Sequence, residues 1–214
     1  MNLVKKSLSD QIYEIIKKDI LMGRIAFGDN LVNRDLKERF DVSSTPVRDA
    51  IHRLYADGLI ESIEQTGAKV ISFTLPFALD VNEILMYIVK SGMESSFRKG
   101  NQRGMVKDLQ EIMKHQIECI GSDAYFDYDY KFHKTFVEYS GNSRLIKLFN
   151  EYNVLHEVLV RSFIDPKNGV ERELKSIKKH NEIIEAIEAE DLQKAVQLNE
   201  EHYKLAEILF KENL

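Results

Sequence analysis

Cysteine is nearly absent from this 214-residue chain: Cys119 stands alone, which rules out an intrachain disulfide and any zinc site built on paired thiolates. A single thiol suits a reducing compartment. Long apolar runs are missing too, and none approaches the ~20 residues that span a bilayer. The opening MNLVKKSLSDQIYEIIKKDI alternates charged with apolar positions at helical spacing. It lacks the basic cap and unbroken apolar block of a secretion signal, so the expected location is the cytoplasm, with no membrane partner. Internal repeats and low-complexity segments are also lacking. What remains is 43% hydrophobic and 30% charged, the balance of a globular protein, and the length predicts one or two domains, each able to bury its own core.

An overall basic charge is likewise absent, the net value being −5. The imbalance is local: residues 1–72 hold 11 Lys plus Arg against 11 Asp plus Glu, whereas the rest hold 19 against 24. A nucleic-acid partner is not excluded by this. Phosphate contacts are screened within a Debye length of about 8–10 Å, so a basic patch matters and the global charge does not.

Residues 8–22 set Leu8, Ile12, Ile15, Ile16 and Leu21 near one helical face before a stop at Gly23. A second short helix is expected from Asn33, a good cap, to Phe40, followed by a turn at Asp41 and Val42. A third follows, capped by Ser44 or Thr45, with Pro46 in its first turn and Gly58 at its end. On it Val47, Ala50, Ile51 and Leu54 recur at three- and four-residue steps and predict a buried face, leaving Thr45, Arg48 and His52 on the wet side. The pattern then becomes extended, with Leu59 to Ile63, a turn at Glu64 to Gly67, and β-branched residues from Lys69 to Phe73. Three helices and a hairpin predict a winged helix-turn-helix, whose third helix enters the major groove.

The stretches GRIAFGDNL, RDLKERFDVSSTPVRDAIHRLYADGLIE and TGAKV resemble the winged-helix domain of the GntR family of bacterial regulators. VSSTPVRDAIHRL carries most of that likeness. The resemblance implies that Arg34, Ser44, Thr45, Arg48 and Gly67 occupy DNA-contacting positions. The family usually has arginine where Ser44 stands, and serine cannot grip guanine with two hydrogen bonds, so an atypical operator is expected.

From Pro76 onward no strand-like alternation remains. Helices are expected over 77–98, 104–120, 123–139, 143–163, 171–189 and 192–211, broken at Gly100, Gly121, Gly141-Asn142, Pro166 to Gly169 and Glu190-Asp191. The predicted fold is therefore mainly α: a winged helix-turn-helix over 1–72, a linker over 71–76, and an all-α antiparallel bundle over 77–214.

Within that bundle Asp129 and His133 lie four apart, on one face of one helix. His180 and His202 are each 11 residues from Asp191, so a hairpin at 190–191 would bring both imidazoles to one height. Three imidazoles and a carboxylate suit a divalent ion such as zinc, nickel or manganese. The other histidines, His52, His115 and His156, are expected to be capped or surface residues.

DYDYKFHKTFVEYSGNSRL, HNEIIEAIEAEDLQKAV and His202 are similar to the FadR-like ligand-binding (FCD) domain of one branch of that family. The resemblance implies that Asp129, His133, His180 and His202 hold a metal that helps bind a small carboxylate effector. Family members often carry an arginine for the effector acid where this chain has Lys90, which lacks the planar two-point grip; Arg161 is a second candidate. The expected function is a ligand-responsive, homodimeric transcriptional regulator, a repressor, on a near-palindromic DNA operator. Two other readings of the Asp/His cluster are a metal-dependent enzyme, for which no nearby general base is evident, and a purely structural metal.

Overall fold

The computed structural model describes residues 6–164 and 169–214. The expected break at Pro166 therefore lies outside the described residues. The chain divides into two compact units, Met1–Thr74 and Leu75–Leu214.

In the first unit α1 (Leu8–Leu21) opens with a capping box in which Ser7 and Asp10 satisfy each other's backbone N–H. Its buried face is Ile12, Tyr13, Ile16, Asp19 and Ile20, while Leu8 and Ile15 are exposed. The expected stripe was thus rotated, because Tyr13 and Asp19, one amphipathic and one charged, take inward positions that a count of aliphatics passes over. Tyr13 does so by donating its hydroxyl to Asp57 at the end of α3 (2.5 Å). Helix α2 (Asn33–Phe40) has the expected bounds, but its cap is Val32, and Asn33 is the first helical residue. Asp41 makes the turn in the left-handed region at φ 49°, which Asp tolerates better than most residues. Helix α3 (Ser44–Ala56) starts after Ser43, so neither Ser44 nor Thr45 caps it; Val47, Ala50, Ile51 and Leu54 are all buried as their spacing requires.

The wing is larger than a hairpin. Strand β1 (Asn30–Val32) joins β2 (Ile60–Ile63) and β3 (Gly67–Val70) in an antiparallel sheet of order β1-β3-β2. Three residues are too few to show alternation, which is why β1 was not legible. Gly67 pairs with Val32 and is buried; a Cβ there would sit 2.0 Å from the Leu31 carbonyl oxygen. Glycine is required at this position by the close approach of two strands, which corrects its expected place at the DNA surface.

Asp19 ties this unit together. Its carboxylate, 3% exposed, accepts from Arg24 Nε at 2.6 Å and Arg39 Nη2 at 2.5 Å, joining α1 to α2. Burial raises its pKa, but the hydrogen bonds from Arg39 and Arg24 outweigh that and hold it below the ordinary value. A depressed carboxylate stabilises the fold fully above its unfolded pKa of about 3.9 and loses that contribution as pH falls through the native value. Asp19→Asn should therefore weaken α1 and α2 at pH 7 by about 1–3 kcal/mol, discounted toward the low end because both guanidinium groups are half exposed. Hydrogen exchange of those amides in the full chain reads the loss. The gap between variant and wild type should start to shrink below about pH 4 and vanish once pH is below the native value; a gap that does not shrink at all as pH falls below about 4 contradicts the ionic account.

The second unit is a bundle of α4 (Leu75–Arg98), α5 (Gln102–Glu118), α6 (Ala124–Tyr139), α7 (Ser143–Phe163), α8 (Gly169–Glu188) and α9 (Leu192–Asn213). Helix α4 begins inside the expected linker, because Pro76 fits a first helical turn and need not precede it. Glycines 100, 121 and 141 all adopt positive φ at helix ends, and Glu190 (φ 57°) turns α8 into α9, whose cap Asp191 accepts the Lys194 N–H at 2.9 Å. Helix α4 packs on α6, α7 and α9, α5 on α6 and α8, and α8 on α9, around a core that includes Leu85, Met93, Phe132, Phe136, Phe149 and Ile183. None of the described helices is long and apolar enough to cross a membrane.

Candidate functional site

Helix α6 supplies Asp129 and His133 one turn apart, α8 supplies His180 and α9 supplies His202. One ligand atom from each lies within 4.8 Å of all the others. His133 Nε2 is 3.0 Å from His202 Nε2 and 3.9 Å from Asp129 Oδ2, and His180 Nε2 is 3.7 Å from Asp129 Oδ1. Metal–nitrogen bonds of about 2.0–2.1 Å put neighbouring ligands roughly 3–3.5 Å apart, so the cluster needs only small contraction around an ion.

The protonation pattern fits the same chemistry. His180 Nδ1 lies 3.0 Å from Gln116 Oε1, which can only accept, so Nδ1 carries the proton and Nε2 a lone pair. That Nε2 is buried without a hydrogen-bond partner. Gln116 also donates its amide to Asp129 Oδ1 at 3.1 Å, so one side chain orients two of the four candidate ligands. Burial, followed by the neighbouring imidazoles, lowers the pKa of His133 and His180 well below normal, and burial first of all lowers His202 to about 3. All three rings are neutral near pH 7, as metal ligation requires. Burial pushes Asp129 up to about 7, against hydrogen bonds from Gln116 and Ser176. Phe132 stacks on His180 with ring centroids 3.7 Å apart and fixes the ring plane.

A cavity of about 370 Å³ adjoins the cluster, lined by Asp129 and His202 together with Tyr125, His156, Glu157 and Glu173. That volume is in the range of small-ligand sites. His156, expected to be a capped or surface residue, is of the capped kind, its Nε2 3.0 Å from Asn82 Oδ1; it is half-buried against the cavity, and burial lowers its pKa to about 4. His52 and His115 are exposed as expected. Lys90 is not among the cavity's lining residues; its ammonium pairs with Glu200 at 3.2 Å, which corrects its expected role. Arg161 lies behind the wall, its guanidinium 2.8 Å from the lining Glu157 and over the ring of Phe126. Gln116 was missed, although the signal was present: it occupies the buried face shared by Met105, Leu109 and Met113, where a polar side chain requires partners.

In the first unit, Thr45, Arg48 and His52 are exposed on α3, Ser44 is half-buried, and Arg34 is exposed but paired with Asp35 at 3.1 Å. No ion-pair partner holds Arg48 among the described residues.

A winged helix followed by a helical unit with a ligand-sized cavity defines a ligand-responsive DNA-binding regulator. Residues 8–70 match the family described as bacterial regulatory proteins, gntR family, and residues 97–205 match the FCD domain. The chain belongs to the GntR family of transcriptional regulators, in its FCD-containing branch, and is a DNA-binding regulator, not an enzyme. It is 25% identical over 194 residues to the gluconate operon transcriptional repressor of Bacillus subtilis, covering 88% of this chain and 79% of that one. It is 23% identical over 191 residues to the HTH-type transcriptional regulator YdhC of the same organism, covering 87% and 84%. A crystal structure of a putative GntR regulator from Rhodococcus sp. RHA1 shares the fold, with a TM-score of 0.74 at 17% identity over 98% of this chain and all of that one. With the family established, the metalloenzyme reading of the cluster falls.

Proposed function

We propose that this regulator is a cytoplasmic repressor that senses a small carboxylate through a divalent ion held by Asp129, His133, His180 and His202. The observation that carries the reading is the lone pair of His180 Nε2, buried without a partner and held toward Asp129 by Gln116. Zinc, nickel and manganese all accept three imidazoles and a carboxylate. A bound ion supplies a Lewis-acidic anchor for an effector carboxylate oxygen. The chain's own residues hold the neutral rings in place, orient Asp129 and enclose the effector in the adjoining cavity.

On the DNA side, Thr45, Arg48 and the half-buried Ser44 face the major groove, with Arg34 at the phosphates. A homodimer presents two such helices about 34 Å apart to a near-palindromic operator. Effector binding alters operator affinity only to the extent that it prefers one arrangement of the dimer, a coupling of about 1–3 kcal/mol.

Elemental analysis of protein purified without chelator should find about one divalent ion per chain, falling to near zero in His133→Ala/His202→Ala. Stripping the ion should abolish carboxylate binding and leave far-ultraviolet helicity largely intact. Collapse of helicity on stripping would make the ion structural, and absence of metal from the wild type would sink the sensor reading.

A further inference from the structure

The cavity has a second chemical feature besides the metal ligands. Asn82, 6% exposed on α4, donates its amide to the Tyr203 carbonyl at 3.1 Å, and a carbonyl can only accept. The amide orientation is thereby set, and Asn82 Oδ1 faces His156 Nε2 at 3.0 Å as an acceptor. His156 must carry its proton on Nε2. Its Nδ1 is left as a lone pair on a neutral ring that lines the cavity.

The carboxylates on the same lining point to the same demand. Glu173 is 6% exposed and accepts the Gly121 N–H at 2.6 Å; among the described residues no cation pairs with it. Among the described residues Glu157 is balanced only by Arg161. Among the described residues the two lining cations are already engaged, Arg172 with Glu212 at 2.7 Å and Lys175 with Glu171 at 2.7 Å, and Lys90 is drawn off to Glu200. A second acid group on a ligand would meet lone pairs and negative charge there, whereas an O–H or N–H would be welcomed.

We propose that the wall formed by His156, Glu157 and Glu173 selects a ligand rich in hydrogen-bond donors, so that the effector is a small hydroxy- or amino-carboxylate and not a simple dicarboxylate. The carboxylate end rests on the metal-sensor reading above; the donor end rests on the wall alone.

Four acids of one length separate the possibilities: butanoate, succinate, 4-hydroxybutanoate and 4-aminobutanoate, titrated calorimetrically into zinc-loaded full-length protein. At least one donor-bearing acid should bind about tenfold or more tighter than butanoate and succinate, the scale of one good hydrogen bond to a buried acceptor. His156→Leu should erase most of that preference. Glu173→Gln, which keeps the shape and removes the charge, should penalise the amine more than the alcohol and so tells the two donors apart. Should His156→Leu fold poorly, Glu173→Gln alone still carries the test. Succinate or butanoate binding as tightly as both donor-bearing acids, or none of the four binding, overturns the proposal. A donor preference that survives in Asp129→Ala protein without metal leaves the wall standing and defeats the metal-sensor reading instead.

Discussion

A single methyl group added at residue 92 should loosen both the helical bundle and its metal cage. A Cβ on Gly92 of α4 would lie 2.8 Å from the Phe136 carbonyl oxygen, 2.9 Å from its carbon and 3.0 Å from the Val137 nitrogen, all backbone atoms of α6. Backbone cannot swing aside as a side-chain end can, so the two helices must separate. One turn later Ser96 donates its hydroxyl to the Gly92 carbonyl at 2.8 Å and reaches the Phe136 carbonyl at 3.3 Å, which shows how tightly the pair is set. Helix α6 also carries Asp129 and His133, so any shift of α6 moves two of four candidate ligands relative to His180 and His202. Overpacking of this kind costs about 1–3 kcal/mol, partly offset by the ~1 kcal/mol that alanine gains over glycine inside a helix; valine adds bulk without that gain. Gly92→Val should accordingly lower the unfolding midpoint by several degrees and weaken metal binding at least tenfold, with Gly92→Ala between it and wild type.

Gly100 is the control. It has φ +69° and open space around its Cβ position, so Gly100→Ala strains a helix end by about 1 kcal/mol and leaves α6 where it is. Metal affinity should be unchanged in that variant. If Gly92→Val retains wild-type midpoint and metal affinity, the close crossing of α4 and α6 is not what positions the cage.

The two kinds of glycine illustrate what sequence could and could not yield. Gly100, Gly121 and Gly141 are legible because helix ends are local: a left-handed residue follows a periodic run, and the periodicity itself announces the stop. Gly67 and Gly92 answer to partners more than thirty residues away in the chain, Leu31 and Phe136, and nothing in their own neighbourhoods reports that approach. The metal cluster sits between these cases. Asp129 and His133 share a face by spacing alone, and the turn at Glu190 reduces the placement of His180 and His202 to counting along a hairpin. Asn82 and His156 were hidden because each is defined by a hydrogen bond to another helix, Asn82 to the Tyr203 carbonyl and His156 to Asn82, whereas Gln116 shows its burial in the helical pattern but not its partner Asp129. Lys90 is a different case, since a long flexible cation pairs with whatever carboxylate its neighbouring helix offers, here Glu200 on α9, and its own spacing does not announce that partner.

Arg48→Ala should cost operator affinity about 10–100-fold, whereas His115→Ala should cost none. Four buried residues, Val47, Ala50, Ile51 and Leu54, pin one face of α3 into the winged helix, and helical geometry then leaves Thr45, Arg48 and His52 outward. Arg34 already spends its guanidinium on Asp35 and lies 4.0 Å from Glu38, so it approaches DNA only by exchanging partners. Arg48 has no such competitor among the described residues, and a guanidinium free to grip guanine is worth about 1–3 kcal/mol of binding. The duplex for this measurement is one selected from a random library by the wild-type protein, and shift assays at several salt concentrations distinguish two modes of contact. A phosphate contact lowers the salt slope by about one and weakens all sequences alike; a base contact leaves the slope and flattens the preference at one position. His115, exposed on α5 between Glu111 and Glu118 and stacked on Tyr128, belongs to the second unit and is no part of the winged helix. Equal binding by the two variants at low salt would remove α3 from the groove, because no other described helix of the first unit combines a pinned apolar face with an unpaired arginine on its opposite side.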